Sequence, residues 1–430
     1  MQIHVVQSGE SLWAISQKYG ISFQEIVEAN QLPDASFLVV GQALVIPIYG
    51  RYYFVQPGDS LWAIGQRFGL SWQEVARING LRPPYALHVG MRLYIPKKTT
   101  EPTVEVNAYI EPGEAVSSGE REVVRKAAPY LTYLAPFSSR VNRDGTLTLP
   151  PLDEFPEIGR QHGVTTMLVV SNLEGGQFSR ELGRLFLNNE ALANKLIDNI
   201  IATARRYNLN DVHFDFEFLA PEDREKYNAF LRRAAARIKG EGFLFSTALA
   251  PKTSATQKGE WYEAHDYKVH GEVADFSVLM TYEWGYSGGP PMPVSPIGPV
   301  RKVLEYALTE MPANKIMMGQ NLYGYDWTLP YKPGGKYAKA ISPQAAIALA
   351  RKENVAIEYD EKAQAPFFHY WDDAGKEHVV WFEDARSLQA KFDLMKELGV
   401  RGISYWKLGL PFPQNWLLLE DNFRIKKNWR

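Results

Sequence analysis

Past residue 105 the chain alternates short apolar runs with amphipathic helical stretches. Eight runs read as strands: VNAYI (106–110), YLTYLAPF (130–137), TTMLVVSN (165–172), DVHFDFEF (211–218), FLFSTALA (243–250), FSVLMTY (276–282), KIMMGQNLY (315–323) and GISYWKL (402–408). Between several of them lie clear helical patterns. Over 190–207, Leu192, Leu196, Ile197, Ile200, Ile201 and Ala204 fall on one face, the 3.6-residue period of a helix packed on a sheet. Another helix follows Pro221 and stops before Gly240, with proline at the start as helices favour. Eight β/α units over 106–430 predict an α/β fold, a (β/α)8 TIM barrel. The largest interruption, about 327–390, separates strands seven and eight and contains FFHYWDDAGKEHVVWF, hairpin-like about Asp372–Gly375. An α+β lobe there would wall one side of the face where the strands end.

The first hundred residues carry a different pattern, and it occurs twice. HVVQSGESLWAI (4–15) returns as YFVQPGDSLWAI (53–64), and VGQALVIP (40–47) as VGMRLYIP (89–96), at a constant offset of 49. Each copy reads strand–helix–helix–strand. Gly20 and Gly69 are helix stops. Ser22 with Glu25, and Ser71 with Glu74, have capping-box spacing. Pro47 and Pro96 end the closing strands. The boundaries expected are 1–48 and 51–97, with 98–105 a polar linker. Trp13 and Trp62 lie inside the first helix of each copy and are expected in its core. The V-Q-x-G-[DE]-S-L-W-x-I opening and V-G-x-x-L-x-I-P close resemble the LysM module. That resemblance implies small βααβ domains that bind N-acetylglucosamine-containing glycans. It places the sugar groove at Gly9, Ser11, Leu12, Asn30 and Leu32 in one copy, and at Gly58, Ser60, Leu61, Asn79 and Leu81 in the other. Two copies in tandem are expected to add avidity.

Composition narrows the chemistry. With 430 residues and no cysteine, disulfides, thiolate metal sites and a Cys nucleophile are excluded. Lys+Arg number 47 against 49 Asp+Glu, which argues against nucleic acid as a partner. Residues 1–97 carry a net +1 and the remainder −3, so glycan binding is expected to rest on hydrogen bonds and apolar contact and to depend weakly on salt. The 11 Trp, 23 Tyr and 21 Phe suit stacking on sugars, or simply a large core. No apolar run is long enough to span a membrane, and MQIHVVQSGE lacks the features of a signal peptide, so synthesis in the cytoplasm without a cleaved leader is expected. The eight His show no metal-ligand spacing. No metal or cofactor is expected, and His265 and His270 are read as surface or structural.

The fourth strand ends His213-Phe-Asp215-Phe-Glu217. Alternation puts His213, Asp215 and Glu217 on one face, with Phe214, Phe216 and Phe218 packing under helices on the other. Polar groups at the C-terminal end of a barrel strand are either a satisfied buried cluster or an active site. Two adjacent carboxylates repel, so one is pushed towards keeping its proton. The run resembles D-x-x-D-x-D-x-E of glycoside hydrolase family 18. Asp215 and Glu217 match its last two acids, while Asn210 and His213 stand where the first two Asp would be. Met280-Thr281-Tyr282, Trp406 at the end of the eighth strand, and Ser171 with Gly175-Gly176 are similar to further family motifs. The 282–299 and 321–327 segments, behind two LysM units, resemble a narrower group, the spore cortex-fragment lytic N-acetylglucosaminidases of endospore-forming bacteria.

The resemblance implies retaining, substrate-assisted hydrolysis. Glu217 would be the acid and base, and Asp215 would orient the substrate's 2-acetamido group. Tyr282 would hydrogen-bond the acetamido oxygen, and Trp406 would floor the subsite. Met280, His213 and Tyr323 are further candidates for substrate contact, with His213 pairing with Asp215 in place of the family's inner Asp. Glu283 either extends the acid network or caps a loop. Tyr325 and Trp327 either line the cleft or pack under the inserted lobe. The expected partner is peptidoglycan of the spore cortex or its muramic-lactam-containing fragments, and the expected place the spore coat and cortex. The alternatives are a non-catalytic glycan-binding coat protein and a LysM-anchored chitinase.

Overall fold

The computed structural model describes residues 1–34, 36–48, 50–96 and 101–428. Its centre is a closed parallel barrel. The strands are Thr103–Ile110, Tyr133–Pro136, Thr165–Ser171, Asp211–Asp215, Leu244–Leu249, Phe276–Leu279, Ile316–Asn321 and Gly402–Trp406. Each pairs in parallel with the next, and the eighth pairs with the first. All eight expected strands form. Tyr109, Tyr133, Met167, Val169, Phe276, Val278 and Met317 fill the interior, so the barrel is a packed core and not a pore. The predicted helices form at Glu190–Tyr207 and Arg224–Gly240, and the first buries Leu196, Ile197, Ile200, Ile201 and Ala204 as expected.

Two boundaries move. The first strand begins at Thr103, not Val106, so residues 103–105 of the expected linker belong to the barrel. Glu105 explains the extension: its carboxylate takes Arg401, Lys426 and the Tyr133 hydroxyl, which makes a polar residue tenable there. Residues 97–100 of that linker lie outside the described residues. The inserted lobe begins at Gly324, slightly ahead of 327. It is a five-stranded antiparallel sheet, Lys339–Ile341, Gly324–Thr328, Glu377–Trp381, Ala365–Trp371 and Glu358–Asp360 in spatial order, with helix Pro343–Lys352. The expected hairpin pairs Phe367 with Trp381 and turns through Gly375 at φ 69°.

Each repeat is a two-stranded antiparallel sheet carrying two helices. In the first, Gln2–Val5 pairs with Ala43–Ile46; in the second, Arg51–Phe54 pairs with Arg92–Ile95. Ser11 and Ser60 cap the first helices, which stop at Gly20 and Gly69 in left-handed conformation. The capping box closes in both directions at Ser22–Glu25 but only through the Ser71 hydroxyl in the second copy. The expected burial of Trp13 and Trp62 is overturned: they are 66% and 64% exposed. Their helices bury the following turn, Ile15 and Ser16 or Ile64 and Gly65, which leaves the indoles on the outer face.

Candidate active site

Strand four stops at Asp215, and Glu217 lies just beyond it. Asn172, at the end of strand three, holds Glu217 by its backbone: its Oδ1 accepts the Glu217 N–H at 2.9 Å and its Nδ2 donates to the Glu217 carbonyl at 2.9 Å. Asp215 and Glu217 are 4% and 7% exposed. Burial raises the Asp215 carboxyl to about 7, opposed by a hydrogen bond with Glu217. Burial, and then the charge of Asp215, push Glu217 well above the ordinary carboxyl range. Burial favours the protonated form of each, and the pair shares a proton, with Glu217 its stronger holder. Asp215 Oδ1 has no hydrogen-bond partner among the described residues. A buried acceptor in that state is expensive unless something else supplies a donor.

The third polar residue of the run behaves otherwise than expected. His213 does not pair with Asp215. Its Nε2 meets the Tyr109 hydroxyl at 2.7 Å and its Nδ1 the Ser246 hydroxyl at 2.8 Å, and Ser246 donates to Asp211 at 2.9 Å. Burial lowers His213 to about 3, which keeps the ring neutral, and raises Asp211 to about 7. His213 is thus a wholly buried support under the site, out of a substrate's reach. Tyr109 transmits that support: its ring packs edge-on against Trp406, as does Phe137.

The other candidates gather above. Tyr282, Met280 and Tyr323 are buried together, and partly buried Trp406 and Trp261 pack on them. Burial, with Asp215, Glu217 and Glu283 nearby, keeps the Tyr282 hydroxyl protonated, so it is a donor. Gly319 on strand seven makes room for it: a Cβ there would lie 2.9 Å from the Tyr282 ring and 2.3 Å from the Leu279 carbonyl. Glu283 is tied to the wall, accepting from the Tyr323 and Tyr325 hydroxyls. Trp327 is 2% exposed and donates to the Gly289 carbonyl, so it packs under the lobe. His265 and His270 are both buried and hydrogen-bonded, to Phe216 and Thr247, so they are structural and not on the surface.

Trp261 and Asn172 were missed. The Trp261 indole N–H donates to Glu217 Oε2. It comes from the loop after strand five, 44 residues downstream, and no local pattern links the two. Phe218 was misassigned. It is 39% exposed at φ +54°, beside Trp261, and packs under no helix.

In the repeats, Gly9, Ser11, Gly58 and Ser60 are exposed. Leu12, Leu32 and Leu61 are core residues at 2%, 7% and 7% exposure, and Leu81 packs on the second module's core. Asn30 and Asn79 are not free to meet a glycan. The Asn30 amide bonds Ile26, and both backbone groups of Val45, at 2.8–2.9 Å. Asn79 does the same for Val75 and Tyr94. Each amide sutures a helix to a strand, because only a side chain with both donor and acceptor can satisfy the strand's two groups at once.

A barrel with a proton-sharing acid pair at the end of strand four, a phenolic donor and an indole platform is equipped for acid–base cleavage of a sugar bond. Sequence comparison agrees. The model of glycosyl hydrolases family 18 matches residues 119–410, and that of the LysM domain matches 4–47 and 53–96. The chain belongs to glycosyl hydrolase family 18, as a glycoside hydrolase preceded by two LysM domains. It is 62% identical over the full length of both chains to the cortical fragment-lytic enzyme of Bacillus subtilis (strain 168). It is 56% identical to the enzyme of that name from Bacillus anthracis, over 99% of each chain. The crystal structure of the Bacillus megaterium QM B1551 spore cortex-lytic enzyme SleL superimposes with a TM-score of 0.93 at 53% identity, over 99% of each chain.

Proposed function

We propose that this glycoside hydrolase cleaves N-acetylglucosamine bonds of spore cortex peptidoglycan, or of cortex fragments, during germination, with retention of configuration. One observation carries the mechanism: an unpartnered Asp215 oxygen beside a protonated Glu217. Glu217 gives its proton to the bridging oxygen and later takes one from water. Asp215 Oδ1 accepts the N–H of the substrate's 2-acetamido group, whose oxygen closes on the anomeric carbon. Tyr282 donates to that oxygen, and Trp406 carries the ring. No protein nucleophile is involved. The cortical fragment-lytic relatives support the substrate, and the LysM domains support anchoring on the same polymer. Synthesis in the mother cell and deposition on the spore complete the reading.

Glu217→Gln should abolish release of reducing ends from cortex fragments, measured with the purified protein. Activity within a few-fold of wild type would overturn the assignment. Mass spectrometry of the products then identifies the sugar at the new reducing end. Chitin oligomers assayed alongside separate a chitinase from a cortex-directed enzyme.

A further inference from the structure

One wall of the site ends in a cationic tip. Residues 329–338, LPYKPGGKYA, join the lobe strands Gly324–Thr328 and Lys339–Ile341. Both ends of the segment are anchored beside the catalytic groups: Leu329 and Ala338 pack against the cluster that holds Met280, Tyr282 and Tyr323. The turn between them is tight. The Gly335 N–H donates to the Lys332 carbonyl at 2.9 Å, across Pro333 and Gly334, the latter at φ +69°. Proline followed by a left-handed glycine is the order of a type II turn. Lys332 and Lys336 flank that turn, and both are exposed.

The tip is fixed to the loop after strand six. The Ala338 N–H donates to the Ser287 carbonyl at 2.7 Å, and the Tyr331 hydroxyl to the Gly288 carbonyl at 3.1 Å. A Cβ at Gly288 would lie 2.5 Å from the Tyr337 ring, and one at Gly289 2.5 Å from the Tyr286 ring, so these glycines let both rings lie against the loop. Neither Lys332 nor Lys336 has an ion-pair partner among the described residues. Residues 329–338 and the facing 284–293 contain no Asp or Glu. Two unneutralised ammonium groups are thus held beside the site, on a catalytic body whose net charge is −3. A neutral glycan offers them no charged partner, whereas a carboxylate does. Peptidoglycan carries carboxylates on the short peptide stems of its muramic residues. We propose that Lys332 and Lys336 bind the stem-peptide carboxylates of the glycan strand lying in the cleft, so that the enzyme favours strands that carry stems. This rests on the reading of the substrate as cortex peptidoglycan.

The test uses cortex fragments in three forms: native, with every carboxylate turned into a neutral amide by carbodiimide and ammonia, and stripped of stems by an amidase, which leaves only the lactyl carboxylate. At low salt the wild-type enzyme should favour native over amidated fragments about fivefold in kcat/KM, the worth of two exposed ion pairs. The difference should lie in KM, because such pairs bind substrate and transition state alike. Raising the ionic strength from about 0.05 M to about 0.5 M should erase it. Replacing both lysines, Lys332→Gln with Lys336→Gln, should bring the ratio close to one, and Lys332→Glu with Lys336→Glu should invert it. Both positions are exposed, so the variants should melt with the wild type. A wild-type ratio within about twofold of one, or a ratio unchanged in the Gln variant, would overturn the proposal. Stem-free fragments should behave as the amidated ones do; if they are cleaved like native fragments, the stem is not the partner. Failure of the cortex reading shows separately, as no product from any of the three forms.

Discussion

The two LysM domains share their turns, caps and asparagine sutures, yet they live differently. The first is built into the catalytic body. Its closing strand, Ala43–Ile46, is buried at every position, and Ala43 and Val45 belong to the barrel's largest apolar cluster. The lobe's Ile357 N–H donates to the Val40 carbonyl at 2.8 Å, Arg386 to the Gly41 carbonyl, and Arg351 lies 4.2 Å from the centre of the Phe37 ring. The second domain reaches the first through Gln2, which bonds both backbone groups of Tyr52, and through Arg92, which donates to the Lys18 carbonyl. Its closing strand exposes Arg92 where the first copy buries Ala43. One repeat has become a structural part of an enzyme, and the other keeps its free face. On that face Trp62, Trp72, Tyr85 and Leu87 line a cavity of about 480 Å³.

The contrast predicts unequal effects at matched positions. Ala43→Arg, which writes the second copy's residue into the first, buries a guanidinium among apolar groups; a loss of about 5 kcal/mol in urea unfolding is expected, against about 1 kcal/mol for Arg92→Ala. Equal losses would mean that the first domain is not docked in solution. Gly41→Ala places a Cβ 1.8 Å from the Ile357 carbonyl oxygen, whereas nothing lies within 4 Å of the one at Gly90. Both glycines are left-handed, at φ 84° and 82°. The shared backbone cost of about 1 kcal/mol should therefore be the whole effect at Gly90, with about 4 kcal/mol lost at Gly41.

Asn30→Ala and Asn79→Ala sharpen the comparison, because the sutures match while their burial differs. Losses of about 3 and about 2 kcal/mol are expected from thermal melts. Glu10 gives a smaller, pH-dependent difference. Burial pushes its carboxyl up, but the Gln7 N–H and His4 outweigh that and hold it below the usual range. A depressed carboxyl stabilises the fold above its unfolded value of 4.5 and loses that contribution as pH falls through the folded value. Glu10→Gln should therefore cost about 0.5 kcal/mol at pH 7, after solvent screening, and progressively less as pH falls from 4.5 through the folded value. Trp13→Ala and Trp62→Ala should each change stability by less than about 0.5 kcal/mol, since both indoles are exposed. A pull-down on insoluble peptidoglycan then reads their effect on glycan binding alone.

Much of the site was legible because its information is local. Asp215 and Glu217 declare themselves by their spacing of two at the end of one strand pattern, and the repeats by a constant offset of 49 residues. Trp261 was not legible, since its meeting with Glu217 depends on the path of a loop that no periodicity encodes. Phe218 was misread because alternation was carried past Asp215, where the strand ends. The tryptophans of the repeats were misread for a related reason. An aromatic residue inside a short helix suggests core, but in helices of 8 residues the rotation about the axis decides which face packs.

The amino-acid order by itself determined eight strands, their helices, the duplicated domains and the acid pair. Each of these follows from side-chain period, capping chemistry or spacing within a few tens of residues. Tertiary structure alone decided that His213 serves Tyr109 and Ser246 instead of Asp215, that Trp261 holds the acid, and that the first LysM domain packs into the lobe and barrel core while the second bonds the first. Those outcomes depend on which surfaces meet across hundreds of residues, and burial sets their energy only once the surfaces have met.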